Sequence, residues 1–154
     1  MFLLGHASVA AAVVTAAKIK SPAVAFGIGF VSHYAVDALP HGDEAVGAWA
    51  KRGNEVRRLF AAFLIDGAAC AAAFAGLILY RGVSWPVMAA AVGSMAPDAM
   101  WGLEKLLHRK IFWRLGKFHE RVHNYFHINI PFAPGLALQL LVSASLFAFV
   151  FLKS

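Results

Sequence analysis

The sequence predicts an all-α protein: a polytopic membrane helix bundle of about five spans, two helical hairpins plus a closing helix, with an amphipathic helix at the interface. Three observations predict it. The apolar residues fall in long blocks, and 60% of the 154 residues are hydrophobic. Charged residues make up only 14%, where a soluble domain carries about 25%, too few to cover a globule of this size. The connections between the blocks alternate short and long, and the basic residues concentrate in the long ones.

The blocks are residues 2–17, 22–39, 59–80, 83–103 and 130–152. The first, at 16 residues, falls just under the roughly 17–25 that cross a bilayer, as a short, thin or re-entrant helix would. No basic segment precedes it, so it reads as a retained helix and not as a removable signal. The last block, at 23 residues, is interrupted only by Gln139 and a few serines. Residues 18–21 and 81–82 are tight turns, which pair the first block with the second and the third with the fourth. Segments 40–58 and 104–129 are long, and both leave on the side of the N-terminus. Gly27 and Gly29 lie inside a span and precede no phosphate-loop lysine, so helix packing is their expected role.

Charge orients the bundle. Lys51, Arg52, Arg57, Arg58, Lys105, Arg109, Lys110, Arg114, Lys117 and Arg121 put ten cations in the long loops, against three (Lys18, Lys20, Arg81) in the turns. The positive-inside rule then sets the N-terminus and both long loops in the cytoplasm and the C-terminus outside. The net charge of +6 is thereby explained without nucleic acid, and anionic lipid headgroups are the natural surface partner. Within residues 105–124, basic residues alternate with Leu106, Leu107, Ile111, Phe112, Trp113, Leu115, Phe118 and Val122, as in a helix lying in the interface. The whole of 1–154 is expected to form a single integral membrane domain. Cys70, the lone cysteine, is expected to be a small packing residue.

A weak internal echo relates the hairpins: SHYAVDAL, from Ser32, overlays GSMAPDAM, from Gly93, at an offset of 61. Ala35, Asp37 and Ala38 then fall on Ala96, Asp98 and Ala99, a match that chance explains as well as duplication does.

Ionisable side chains inside spans cost about 2.5–3.5 kcal/mol each by insertion scales, so by default they suggest function. Here they are His6, His33, Asp37, Asp66 and Asp98, of which Asp66, near a helix start, can instead simply face water or the helix dipole. In a hairpin the start of one helix and the end of the next share a membrane level, which brings all five toward the cytoplasmic ends. His33 and Asp37, four residues apart, share a helix face and can grip one cation, or they can simply hydrogen-bond two helices together. His119, His123 and His127 repeat that spacing. Successive members rotate by about 40°, so two neighbours at most should reach one ion, and His119 with His123 is the expected pair. The alternative for them is a solvated interfacial helix. His41 and Asp43 follow the second span: Pro40 ends the helix and Gly42 turns the chain, so the pair can fold back over the His33–Asp37 face in a catalytic role, or make an ordinary polar turn.

As metal ligands, His6, His33, Asp37, Asp66, Asp98, His119 and His123 offer imidazoles and carboxylates with no thiolate. That set suits a divalent metal: zinc foremost, with manganese or iron also accommodated. Seven candidates exceed the four of one closed zinc site, which allows one ion or two. Two ions about 3.5–4 Å apart are the usual device for hydrolysing phosphoesters, with Arg and Lys to hold the phosphate.

At these residues the chain resembles a known family. GHAS near the N-terminus, SHYAVDALPHGD, the Ala-Pro-Asp ending at Asp98 and the HxxxH of the last loop are similar to motifs of the membrane-bound metal-dependent hydrolases, small inner-membrane proteins grouped with the LexA-regulated hydrolases. The resemblance implies a metal-dependent hydrolase with His6, His33, Asp37, Asp98, His119 and His123 as metal-site residues. It runs through short motifs only: where the family has PDxDH, this chain has Pro97-Asp98-Ala99-Met100-Trp101, which retains the first acid alone.

The leading expectation is therefore a hydrolase working at the cytoplasmic interface on a phospholipid or other amphipathic phosphoester. A metal-ion or proton transporter or channel, including a homo-oligomeric pore, is the first alternative. The nearly all-apolar exoplasmic halves of the spans argue against a path through both leaflets. A di-iron oxygenase would need denser histidine motifs, and a non-catalytic assembly subunit would use the same residues only to lock helices.

Overall fold

The computed structural model describes residues 2–42, 44–123, 125–126 and 130–153, Glu44 by its backbone alone. Among these residues the chain is all-helical, with seven helices and no strand. They are α1 (Leu3–Ala16), α2 (Pro22–Asp37), α3 (Glu44–Lys51), α4 (Glu55–Arg81), α5 (Trp85–Leu107), α6 (Trp113–His123) and α7 (Phe132–Lys153).

Local chemistry sets the ends. Ser21 accepts from the Val24 N–H and Pro22 opens the first turn of α2, where its missing donor costs nothing. Asn54 caps α4 by accepting from the Arg57 N–H, which starts that helix a turn before the apolar block begins. The amphipathic helix expected across 105–124 is divided. The apolar side chains of residues 103–107 carry α5 on to Leu107, His108 then takes a left-handed conformation (φ 51°), and α6 starts afresh at Trp113.

Two helices, α4 with 27 residues and α7 with 22, are long and apolar enough to cross a membrane. Only 17% and 28% of their most apolar stretches are buried inside the bundle. Phe63, Leu64 and Ile65 of α4 and Leu140 and Leu141 of α7 point outward. The other expected spans are shorter or more polar. At 1.5 Å per residue, the 14 residues of α1 and 16 of α2 reach about 21 and 24 Å, against a hydrocarbon layer of about 30 Å.

Helix α1 runs through the middle, in contact with α2, α4, α5 and α7. It buries Ala7, Ala10, Ala11, Ala12 and Val14, side chains small enough to let four neighbours approach. The closest crossing is α2 on α5. A Cβ on Gly29 would stand 2.1 Å from the Ala90 carbonyl oxygen, and one on Gly93 would stand 2.2 Å from that of Phe26. Of the two glycines expected to serve packing, Gly29 does so; a Cβ on Gly27 would meet nothing. This crossing fixes the end of α2 against the second half of α5, and the polar residues gather there.

Candidate metal centre

Helix α2 delivers two residues from one face: His33 and, a turn later, Asp37, both fully buried. Helix α1 adds His6, α5 adds Asp98 just after Pro97, and α6 adds His119. One ligand atom each of His33, Asp37, Asp98 and His119 lies within 4.8 Å of all the others. The separations are 3.1 Å from His33 Nε2 to Asp37 Oδ2, 3.8 Å from His33 Nε2 to Asp98 Oδ1, 2.8 Å from His119 Nε2 to Asp37 Oδ2 and 3.6 Å from His119 Nε2 to Asp98 Oδ1. With metal–ligand bonds of about 2.1 Å, the edge of a tetrahedral zinc shell is about 3.4 Å, in the middle of that range.

The hydrogen bonds behind these residues bear on the same question. His33 Nδ1 stands 2.8 Å from the Ser94 carbonyl oxygen, which can only accept, so Nδ1 carries the proton. In the neutral ring Nε2 is then a bare lone pair aimed at a carboxylate oxygen. Two electron-rich atoms buried 3.1 Å apart call for a cation, proton or metal, between them. Among the described residues, neither ring nitrogen of His6, nor Nε2 of His33, has a hydrogen-bond partner. A backbone carbonyl fixing the outer nitrogen of an imidazole is the usual support of a metal-bound histidine. The donor set thus fits a divalent ion.

The remaining candidates divide. His6 stacks on His33, ring centroids 4.0 Å apart, and sets its Nε2 3.1 Å from Asp37 Oδ1 and 4.0 Å from Asp98 Oδ2. His41, expected as a catalytic residue, is buried with Nε2 3.9 Å from Asp37 Oδ1, and its Nδ1 bonds the Leu39 carbonyl. His123 lies beside His41 and forms a second group with His41 and Asp37, again with ligand atoms within 4.8 Å. His119 and His123, the pair expected on one ion, fall in different groups, with Asp37 common to both. Asp66 belongs to neither. Both its oxygens accept backbone N–H groups at the start of α1, from Leu3 (2.5 Å) and Leu4 (3.3 Å), so it serves as the cap of that helix. Asp43, the other expected catalytic residue, and His127 lie outside the described residues.

Three supports escaped the sequence reading. Tyr34 packs edge-on to His33, Phe118 and His119 and so holds α6 over α2. Glu104 accepts the Phe112 N–H and secures the approach to α6. Gln139 of α7 accepts from the Phe2 N–H and donates to the His41 carbonyl, tying the start of α1 to the His41 loop. Only Gln139 left a signal, as a lone amide in the longest apolar block. Beside His119 a narrow groove opens, lined by Tyr34, Met100, Trp101, Phe112 and Leu115 with Glu104 at its polar side. Cations near this face lie over tryptophans: Arg114 and Lys117 on Trp113, and Lys105 on Trp101.

Compared with known proteins, the chain matches no family model, no curated protein and no solved structure.

Proposed function

We propose that this chain is a membrane-embedded, metal-dependent hydrolase that acts on amphipathic phosphoesters, phospholipids among them, at the cytoplasmic face of a bacterial inner membrane. The observation that carries the reading is the convergence of His33, Asp37, Asp98 and His119 from three helices onto one buried point. Burying the Asp37 carboxylate among imidazoles is expensive unless a cation joins them.

The bundle has five short spans, α1, α2, α4, α5 and α7, of which α1 and α2 lie where the bilayer thins or the helices end below the headgroups. Helix α6 rests in the interface, where its exposed surface mixes Trp113, Leu115 and Phe118 with Arg114, Lys117 and Arg121 and so meets both acyl chains and anionic headgroups. The division of labour follows from the residues. His33, Asp37, Asp98 and His119 would hold zinc, or manganese or iron, and metal bound at this centre would supply Lewis-acid activation of water and of a phosphoryl oxygen. The exposed Trp101, Leu115 and Phe118 near His119 offer an apolar surface to the acyl portion of an amphipathic ester. The resemblance to membrane-bound metal-dependent hydrolases in the GHAS, SHxxxD and HxxxH motifs supports the same class of chemistry.

Metal analysis of the protein purified without added chelator tests the reading. At least one transition-metal ion per chain is expected, with loss of that ion and of phosphodiester hydrolysis in His33→Ala. Protein without bound metal, whose ability to take up zinc is the same in wild type and His33→Ala, overturns it.

A further inference from the structure

One four-ligand ion leaves His41 and His123 unexplained. Both turn toward Asp37, yet neither belongs to the group formed by His33, Asp98 and His119. The carboxylate of Asp37 is used from both ends. Its Oδ2 faces His33 and His119 at 3.1 and 2.8 Å, while its Oδ1 faces His41 at 3.9 Å and His6 at 3.1 Å. The His41 ring carries the same mark as His33: Nδ1 bonds a backbone carbonyl, that of Leu39, so in the neutral ring Nε2 offers a lone pair to Asp37. His41 is nine-tenths buried or more, so bulk water does not screen that approach.

We propose that the centre holds two divalent cations bridged by the Asp37 carboxylate, the first on His33, Asp98 and His119 and the second on His41 and His123. The proposal rests on the metal reading given above and adds the second ion, its ligands and the bridge. The two sets differ in kind. Four protein ligands complete a tetrahedral shell, as in structural sites, whereas three leave a position open, as in catalytic ones. The open ion is thus the one on His41 and His123, and the closed one fastens α6 to α2 and α5. Sequence spacing makes the split achievable. His119 and His123 sit one turn apart on α6, as His33 and Asp37 do on α2, so two turns of facing helix present two ligand levels to one carboxylate.

The test uses the full chain in lipid nanodiscs, loaded with zinc, freed of excess and analysed for zinc per chain. Wild type is expected to carry two ions, His41→Ala/His123→Ala one, and Asp37→Ala none. The His41 substitution keeps the backbone carbonyl that Gln139 uses, so the double variant is not deprived of that tie. One ion in wild type, unchanged in the double variant, overturns the second site and leaves the metal reading standing. No ion in wild type overturns both. Loss of both ions from a double variant that melts at the wild-type temperature overturns the division into two sets. A second measurement needs no variant: the manganese-loaded wild type should give an exchange-coupled electron paramagnetic resonance spectrum. Only the six-line signal of isolated ions overturns the bridge.

Discussion

At the scale of the residue, Asp37 decides the chemistry of the interior. It is a fully buried carboxylate surrounded by the Nε2 atoms of His6, His33, His41 and His119. If its role were only to hydrogen-bond helices together, Asp37→Asn would keep the shape and lose little. If it binds metal, the outcome depends on the ion. Zinc is expected to raise the melting temperature of the wild type and to leave Asp37→Asn unchanged, and a chelator should bring wild type down to the variant's level. Thermal unfolding in nanodiscs with and without zinc reads this directly. Asp66 makes the contrast. Its oxygens serve the α1 amides, so Asp66→Ala should cost about 1 kcal/mol, the usual value of a lost cap, with metal content unchanged. The sequence showed both aspartates as intramembrane carboxylates. What separates them is whether amides or imidazoles stand opposite, and that is decided by helices distant in the chain.

At the scale of the element, the α2–α5 crossing sets how close Asp98 comes to His33 and Asp37. Gly93→Ala would press a methyl into the Phe26 carbonyl and should cost about 1–3 kcal/mol, as overpacking does, while also weakening zinc binding. Gly76→Ala on α4, where a Cβ meets nothing, should be neutral or slightly stabilising. Equilibrium unfolding of the two variants side by side checks the pair. Helix α6 is held differently. His119 is its one buried residue, so the residue that docks the helix is also a candidate ligand. Trypsin should cut after Arg114, Lys117 or Arg121 markedly faster in chelator-treated protein than in the zinc-loaded form, as mass spectrometry of the fragments would show.

Helix order was legible because hairpin parity places His6, His33, Asp37 and Asp98 at one level whatever the packing details. The bearing of α6 was not. A helix rich in both basic and apolar residues satisfies an interface in any rotation, and only the contacts of Tyr34 and His119 choose one. The α5 boundary failed for a related reason. Nothing in residues 103–107 breaks a helix, so composition ended the span where helix propensity did not.

At the scale of the whole molecule, the buried His and Asp residues gather in one place, and Phe, Leu and Ile side chains stand outward on α4 and α7. Reporter fusions at the two ends of the chain should find the N-terminus in the cytoplasm and the C-terminus outside. The reverse pattern would put the ten loop cations on the exoplasmic side and sink the assigned topology. The amide of Gln139 has a consequence for biogenesis. It joins a helix near the C-terminus to the backbone at Phe2 and to the carbonyl of His41, residues made more than ninety positions earlier. While the ribosome is still translating residues 1–130, α1 lacks one of its flanking helices and the His41 loop lacks its tether. The tie that joins the start of α1 to the His41 loop therefore forms only in the finished chain, after every candidate ligand has already been made.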